Sequence, residues 1–212
     1  MLHQKKILKK YNFFLIDLDG VLFDSEKNML ASWNQCKRKF FLKQSFKQYF
    51  TYVGLPLKEI LKKIGINKNV KNIISFYQVS SEKKLRLINP YKTVIETLKY
   101  LKKNKIKFSI VTSKNKLRAL KLIKLHKIKI NSIHCSSKNK PGKPSRYLID
   151  EAIKKNGYIR KKTCFIGDTE IDWLTAQNAK IDFIFADYGY GKKLNKYKRS
   201  LKKFSDILKF IN

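Results

Sequence analysis

The sequence predicts an α/β fold: a Rossmann-like parallel sheet flanked by helices, with an all-helical insert. Three observations carry this. Five short apolar runs, at 12–16, 106–111, 131–135, 163–166 and 181–185, have strand length. Segments of helical period separate the later runs, as in βαβ units. From about Ser25 to Asn89 no run reads as a strand and several read as helices.

In order, 12–16 is a buried strand ending in Phe13-Phe14-Leu15-Ile16. The insert follows, with helical patterns over Met29–Phe41, Leu57–Ile64 and Val70–Tyr77. Segment 92–103 places Val94, Ile95, Leu98 and Leu101 on one face, and strand 106–111 comes next. Segment 115–126 is read with Leu117, Leu120 and Ile123 inward, and leads to strand 131–135. Segment 144–155 carries Leu148, Ile149 and Ala152, then strand 163–166, a short helix over 170–178 and strand 181–185. The pattern Leu201, Phe204, Ile207, Leu208 and Ile211 predicts a terminal helix over 200–211. The division expected is a core of 11–24 and 90–212 around an insert of 25–89.

At 212 residues, with 43% hydrophobic and 13% aromatic residues, the chain can bury a sizeable core. No apolar run approaches the ~20 residues that span a bilayer, and the roughly eleven residues before the first strand leave no room for a leader peptide. Three cysteines without metal-like spacing read as reduced thiols of a cytoplasmic protein, Cys135 and Cys164 as core filler. The net charge of +34 raises nucleic-acid binding as an alternative function. Lysine is spread over nearly every segment, however, and arginine occurs only six times. Compositional bias and a solvated basic surface explain the charge better, although it still draws anionic substrates to a cleft.

Against 49 Lys+Arg the chain holds 15 Asp+Glu, so paired acids are notable. Asp17 and Asp19 stand one residue apart at the tip of the first strand. Parallel sheets bind ligands beyond the carboxyl ends of their strands. A second strand ends in Thr112-Ser113-Lys114, and a later one in Gly167-Asp168-Thr169, followed by Glu170 and Asp172. Lys143 precedes a helix whose N-terminus favours anions. Singly, Asp168 and Asp172 read as helix caps, Asp17-Leu18-Asp19-Gly20 as a turn, and Thr112 as a hydroxyl satisfying backbone. Together, carboxylates, a hydroxyl and a lysine at strand ends suit Mg²⁺-assisted chemistry on phosphate. Glu170 reads as a helix cap, and Asp24 and Ser25 as a hinge or first-helix cap. His3, His126 and His134 are not spaced as ligands, and Trp33 and Trp173 read as core.

In this order the motifs Asp17-Leu18-Asp19-Gly20, Thr112, Gly142-Lys143-Pro144-Ser145 and Gly167-Asp168-Thr169-Glu170-Ile171-Asp172 resemble the haloacid dehalogenase superfamily of phosphohydrolases. The likeness covers about residues 11–190. The insert resembles the mobile helical cap of the phosphoglycolate phosphatase and phosphomutase branch, Gly54-Leu55-Pro56-Leu57-Lys58 its substrate-facing loop, and Gly189-Tyr190-Gly191 a feature of the phosphoglycolate phosphatases. Asn89-Pro90-Tyr91 lacks a glycine common after that proline, and Arg146 stands where a second proline is frequent.

The resemblance implies a Mg²⁺-dependent phosphatase acting on a small phosphorylated metabolite. Asp17 would be the nucleophile and Asp19 the proton shuttle. Asp17, the carbonyl of Asp19, and Asp168 would hold Mg²⁺, supported by Asp172. Thr112, Lys143 and backbone N–H groups near Ser113 would bind the phosphoryl group, and Lys58 would read the rest of the substrate. An acid at position 19 fits phosphate transfer rather than dehalogenation or ion pumping. A sugar phosphomutase shares these motifs and is the alternative. No membrane role is implied, and the sequence fixes no oligomeric state.

Overall fold

The structure is a computed structural model describing residues 10–211. His3 and the expected absence of a leader lie outside the described residues. Five parallel strands form the body of a sheet: β1 (Phe13–Ile16), β4 (Lys107–Thr112), β5 (Ser132–Cys135), β6 (Thr163–Gly167) and β7 (Asp182–Ala186). A two-residue parallel strand, β8 (Ser200–Leu201), extends one edge, giving the order β5-β4-β1-β6-β7-β8. β1 lies between β4 and β6, with Ile16 level with Ile110 on one side and Ile166 on the other.

Continuous apolar strands require both faces covered. Alternate side chains point to opposite faces, so Phe13 and Leu15 join one cluster, with Phe165 and Phe183. Phe14 and Ile16 join the other, with Phe108 and Ile110. Helices α7 (Tyr147–Asn156) and α8 (Glu170–Asn178) cover the first face through Leu148, Ile149, Ala152 and Ala176. Helices α5 (Val94–Lys103) and α6 (Lys116–Leu125) cover the second through Val94, Leu98, Leu101, Ala119, Leu122 and Ile123. The expected inward face of α6 is corrected: Leu117 and Leu120 are exposed, and Arg118 is buried with Ala119 and Leu122. The helix is rotated so that Arg118 faces the insert.

The chain leaves the core on β2 (Phe23–Asp24) and returns on β3 (Asn89–Pro90), which pair antiparallel. Between them lie α1 (Glu26–Phe40), α2 (Phe46–Phe50), α3 (Leu57–Lys63) and α4 (Val70–Lys83). These helices close on a hydrophobic cluster of their own, including Trp33, Cys36, Leu61, Ile73 and Tyr77. Trp33 stacks on Tyr49 with ring centres 4.9 Å apart. The short α2 is set by a capping box between Ser45 and Gln48.

The predicted helix over 200–211 is also corrected. Leu201 lies in β8, and Phe204–Phe210 is a 3-10 helix. Leu201, Phe204, Ile207 and Phe210 recur every third residue and are all buried, and a turn of three residues stacks the last three on one side of the helix. All three cysteines are buried. Among the described residues no helix is long and apolar enough to cross a membrane.

Candidate active site

Asp17 directly follows β1, and its N–H extends the ladder to the Ile166 carbonyl at 2.9 Å. It therefore emerges beside Gly167 and Asp168, at the carboxyl edge where the chain order reverses around β1. Asp17 is 3% exposed, and Asp168 and Asp172 are fully buried. One carboxylate oxygen from each lies within 4.8 Å of the others. Lys143 Nζ sits among them, 2.9 Å from Asp17 Oδ2 and 2.6 Å from Asp172 Oδ1.

Asp172 is fully engaged. Its Oδ2 accepts from the N–H groups of Asp168 at 3.2 Å and Thr169 at 3.1 Å, and from the Thr169 hydroxyl at 2.6 Å. Thr169, in extended conformation, is the N-cap of α8 and Asp172 completes the box. This corrects Glu170 as the cap: it is one residue inside the helix, at the surface, paired with Lys196. Asp168 Oδ2 accepts from the Tyr190 N–H at 2.7 Å. Two glycines permit this crowding. Gly20 has φ +88, and a Cβ there would fall 2.1 Å from Asp168 Oδ2. A Cβ on Gly189 would fall 2.3 Å from Asp168 Cβ and 2.5 Å from the Gly20 carbonyl.

Three carboxylates share one lysine, and the charges register it. Burial raises Asp17 above the ordinary carboxylate range against the pull of Lys143, and Asp172 adds to the rise. Burial, Asp172 and Asp17 together raise Asp168 well above it. Burial pulls Lys143 down, but Asp17 and Asp172 outweigh it and hold the ammonium above its usual value. Asp17 Oδ1 and Asp168 Oδ1 are buried with no hydrogen-bond partner among the described residues. Buried carboxylate oxygens of this kind call for a cation. An all-oxygen donor set with excess negative charge fits a hard divalent ion such as Mg²⁺.

Asp19 has separate surroundings. Lys114 Nζ donates to both its oxygens at 2.8 Å, and Ser25 Oγ donates to Oδ1. Burial works to raise Asp19, but Lys114 and Ser25 prevail and hold it below its ordinary value. Ser25 precedes α1 yet makes no side-chain cap, since its hydroxyl is spent on Asp19. Arg118, 7% exposed, adds positive charge beside Asp19 and Lys114.

Thr112, at the end of β4, accepts from the Lys114 N–H at 3.2 Å. The Ser113 hydroxyl donates to the Gly54 carbonyl of the insert at 2.7 Å. A cavity of about 1030 Å³ lies between core and insert. Asp17, Asp19, Thr112, Ser113 and Lys143 line it from the core, and Lys58 from the exposed start of α3. Asp168 and Asp172 lie behind this wall. Lys114 and Arg118 also line the cavity but carried no role in the sequence reading. Lys114 was visible there as the third residue of a strand-end triplet. Arg118 gave no signal, because the apolar pattern of its helix pointed to a different face.

A parallel sheet flanked by helices, with buried carboxylates gathered at its carboxyl edge, defines a Rossmann-like core with a candidate site for chemistry. The chain belongs to the haloacid dehalogenase-like hydrolases, whose family model matches residues 14–186. It is similar to the pyrophosphatase PpaX of Bacillus mycoides, 26% identical over 211 residues, covering 96% of this chain and 98% of the relative. The PpaX of Halalkalibacterium halodurans is 24% identical over 180 residues, 84% of either chain. A predicted phosphoglycolate phosphatase from Haemophilus somnus shares the fold with a TM-score of 0.83 at 20% identity, over 94% of this chain and 97% of its own. A haloacid dehalogenase-like family hydrolase from Streptococcus pneumoniae does so with a TM-score of 0.83 at 19% identity, over 93% and 97%.

Proposed function

We propose that this hydrolase is a Mg²⁺-dependent phosphatase that cleaves a small, phosphoglycolate-like phosphomonoester through an aspartyl-phosphate on Asp17. The observation that carries the reading is the unpartnered Asp17 Oδ1 beside a lysine, at the rim of a cavity large enough for a metabolite. Asp17 attacks phosphorus, so that one difficult displacement becomes two easier ones. Lys143 holds Asp17 in place through Oδ2 and, with Thr112 and backbone N–H groups near Ser113, binds the transferring phosphoryl oxygens. Asp17, the Asp19 carbonyl and Asp168 would hold Mg²⁺, with Asp172 fixing Lys143 and the Asp168 loop. The ion would neutralise charge on the phosphoryl group.

Asp19 gives the leaving oxygen a proton and then takes one from the attacking water. Clamped by Lys114, Asp19 is held in its base form, which suits the second half of the cycle. The first half requires Lys114 to release it. Residues 25–89 act as a cap over a core of 11–24 and 90–212, swinging on the paired strands β2 and β3. Lys58, at the cavity mouth, contacts the substrate beyond its phosphate. An odd number of cysteines, all buried, fits a reducing cytoplasm.

The test is release of inorganic phosphate from a panel of small phosphate esters with and without Mg²⁺. Asp17→Asn should turn over nothing while melting as a folded protein. Ordinary turnover by that variant would remove Asp17 from the reaction. An isomerised sugar phosphate, in place of free phosphate, would mean a mutase.

A further inference from the structure

Arg118 stands on the cavity wall near Asp19 and Lys114. Its residue is 7% exposed, yet it lines the cavity between core and insert. A guanidinium offers five donors. Here Nη2 donates to the Ser81 hydroxyl of α4, which in turn donates to Asn28 Oδ1. The charge stands 5.8 Å from the ring centre of Tyr77. Nε is buried and has no hydrogen-bond partner among the described residues. Among those residues no carboxylate lies within ion-pair range of it, although one is near: Asp19 gives both its oxygens to Lys114. A cation largely taken out of water, and touched directly by only a hydroxyl and a ring, has part of its desolvation uncompensated.

We propose that Arg118 determines specificity by receiving a second anionic group, carried by the substrate beyond its leaving oxygen. The inference rests on the phosphatase reading above. The phosphoryl group lies between Asp17, Thr112 and Lys143, and the leaving oxygen faces Asp19. Whatever hangs from that oxygen therefore meets the wall made by Lys114 and Arg118. A carboxylate or a second phosphoryl group there pairs with the guanidinium, whose charge no carboxylate among the described residues meets directly. A neutral substituent leaves Arg118 buried and unpaired. The first-turn N–H groups of α6 do not compete for the anion, since Asn115 Oδ1 already accepts from Leu117 and Arg118.

The experiment compares kcat/KM for 2-phosphoglycolate, pyrophosphate and ethyl phosphate, which place a carboxylate, a phosphoryl group and a methyl group beyond the leaving oxygen. The intact protein should favour at least one anionic substrate over ethyl phosphate, and which one identifies the group received. In Arg118→Met that preference should fall roughly tenfold to a hundredfold, mainly through KM. Arg118→Lys should regain part of it. Ser81→Ala, which removes the bridge to α4 and keeps the cation, should leave the preference in place. Equal loss on all three substrates in Arg118→Met would make Arg118 a structural link and overturn the proposal, as would loss of preference in Ser81→Ala. Hydrolysis of ethyl phosphate by the intact protein with no preference overturns this inference alone. Failure to hydrolyse any of the three, with Mg²⁺ present, removes the phosphatase reading and this inference with it.

Discussion

Replacing Lys143 by methionine tests the electrostatics of the site apart from its chemistry. Lys143 Nζ is the shared cation of two carboxylates, 2.9 Å and 2.6 Å away, and its side chain is 1% exposed beside partners at 4% and 0%. Methionine keeps the length and apolar stem and removes the charge. At least one carboxylate is then buried without compensation, which costs about 3–5 kcal/mol. For a domain of this size each kcal/mol moves the midpoint by about 2–4 °C, so the melting temperature should drop by roughly 6–20 °C. Total stabilities run about 5–15 kcal/mol, so the variant should still fold. Far-UV circular dichroism melts in EDTA at neutral pH give the number free of bound metal. Asn at 172 can still accept from the N–H groups of Asp168 and Thr169 while losing its charge. Lys143→Met with Asp172→Asn should therefore melt above Lys143→Met alone. A drop below about 2 °C in the single variant, or a double variant no better than the single, would refute this account of the site.

Two further outcomes follow. Mg²⁺ should raise the melting temperature of the intact protein, and Asp168→Asn should abolish that rise; an equal rise in the variant would place the ion elsewhere. The second concerns His134, a buried imidazole held by Glu151 Oε2 at 2.6 Å and Ser132 Oγ at 2.9 Å. Burial holds it below the ordinary histidine value although Glu151 pulls the other way. The unfolded chain then binds a proton more readily than the folded one, so stability falls as pH drops below about 6.5. His134→Gln should lose less stability than the intact protein between about pH 7 and pH 5, read by urea midpoints, and an unchanged slope would count against the depressed imidazole.

The sheet was legible because its strands are short, apolar on both faces and separated by periodic helices. The five expected runs match β1, β4, β5, β6 and β7 with ends shifted by one residue at most. What escaped has identifiable causes. The two-residue strands β2, β3 and β8 carry no period at all. The tail of the chain has a threefold repeat, which near the end of a helix-like pattern is hard to tell from a 3.6 repeat. Helix α2 carried its signal in Ser45 and Gln48, a capping box without a long apolar stripe behind it. At the strand ends, Asp17, Asp19, Thr112 and Lys143 are placed around one cavity, because strand ends in a parallel sheet converge whatever the intervening lengths. The division of labour among them could not be read. That Asp172 spends both oxygens on its neighbours while Asp17 and Asp168 each keep one free depends on three-dimensional hydrogen bonding. Lys114 was hidden by abundance, as one more lysine in a lysine-rich chain, and Arg118 by its helix, whose Leu117 and Leu120 advertise the wrong face.

The pairing of Asp24 with Asn89 fixes where the insert begins and where it ends as a single place on the core. To the sheet, everything between these residues is equivalent to a hairpin turn, however long. The strand register therefore carries no memory of what the insert contains, whereas the cavity wall touches it through Ser113 on Gly54 and Arg118 on Ser81. Its four helices have their own apolar cluster and can be lengthened, shortened or exchanged without moving a strand. Such a layout separates the rates at which the two parts can change: the strand ends stay fixed while the insert drifts.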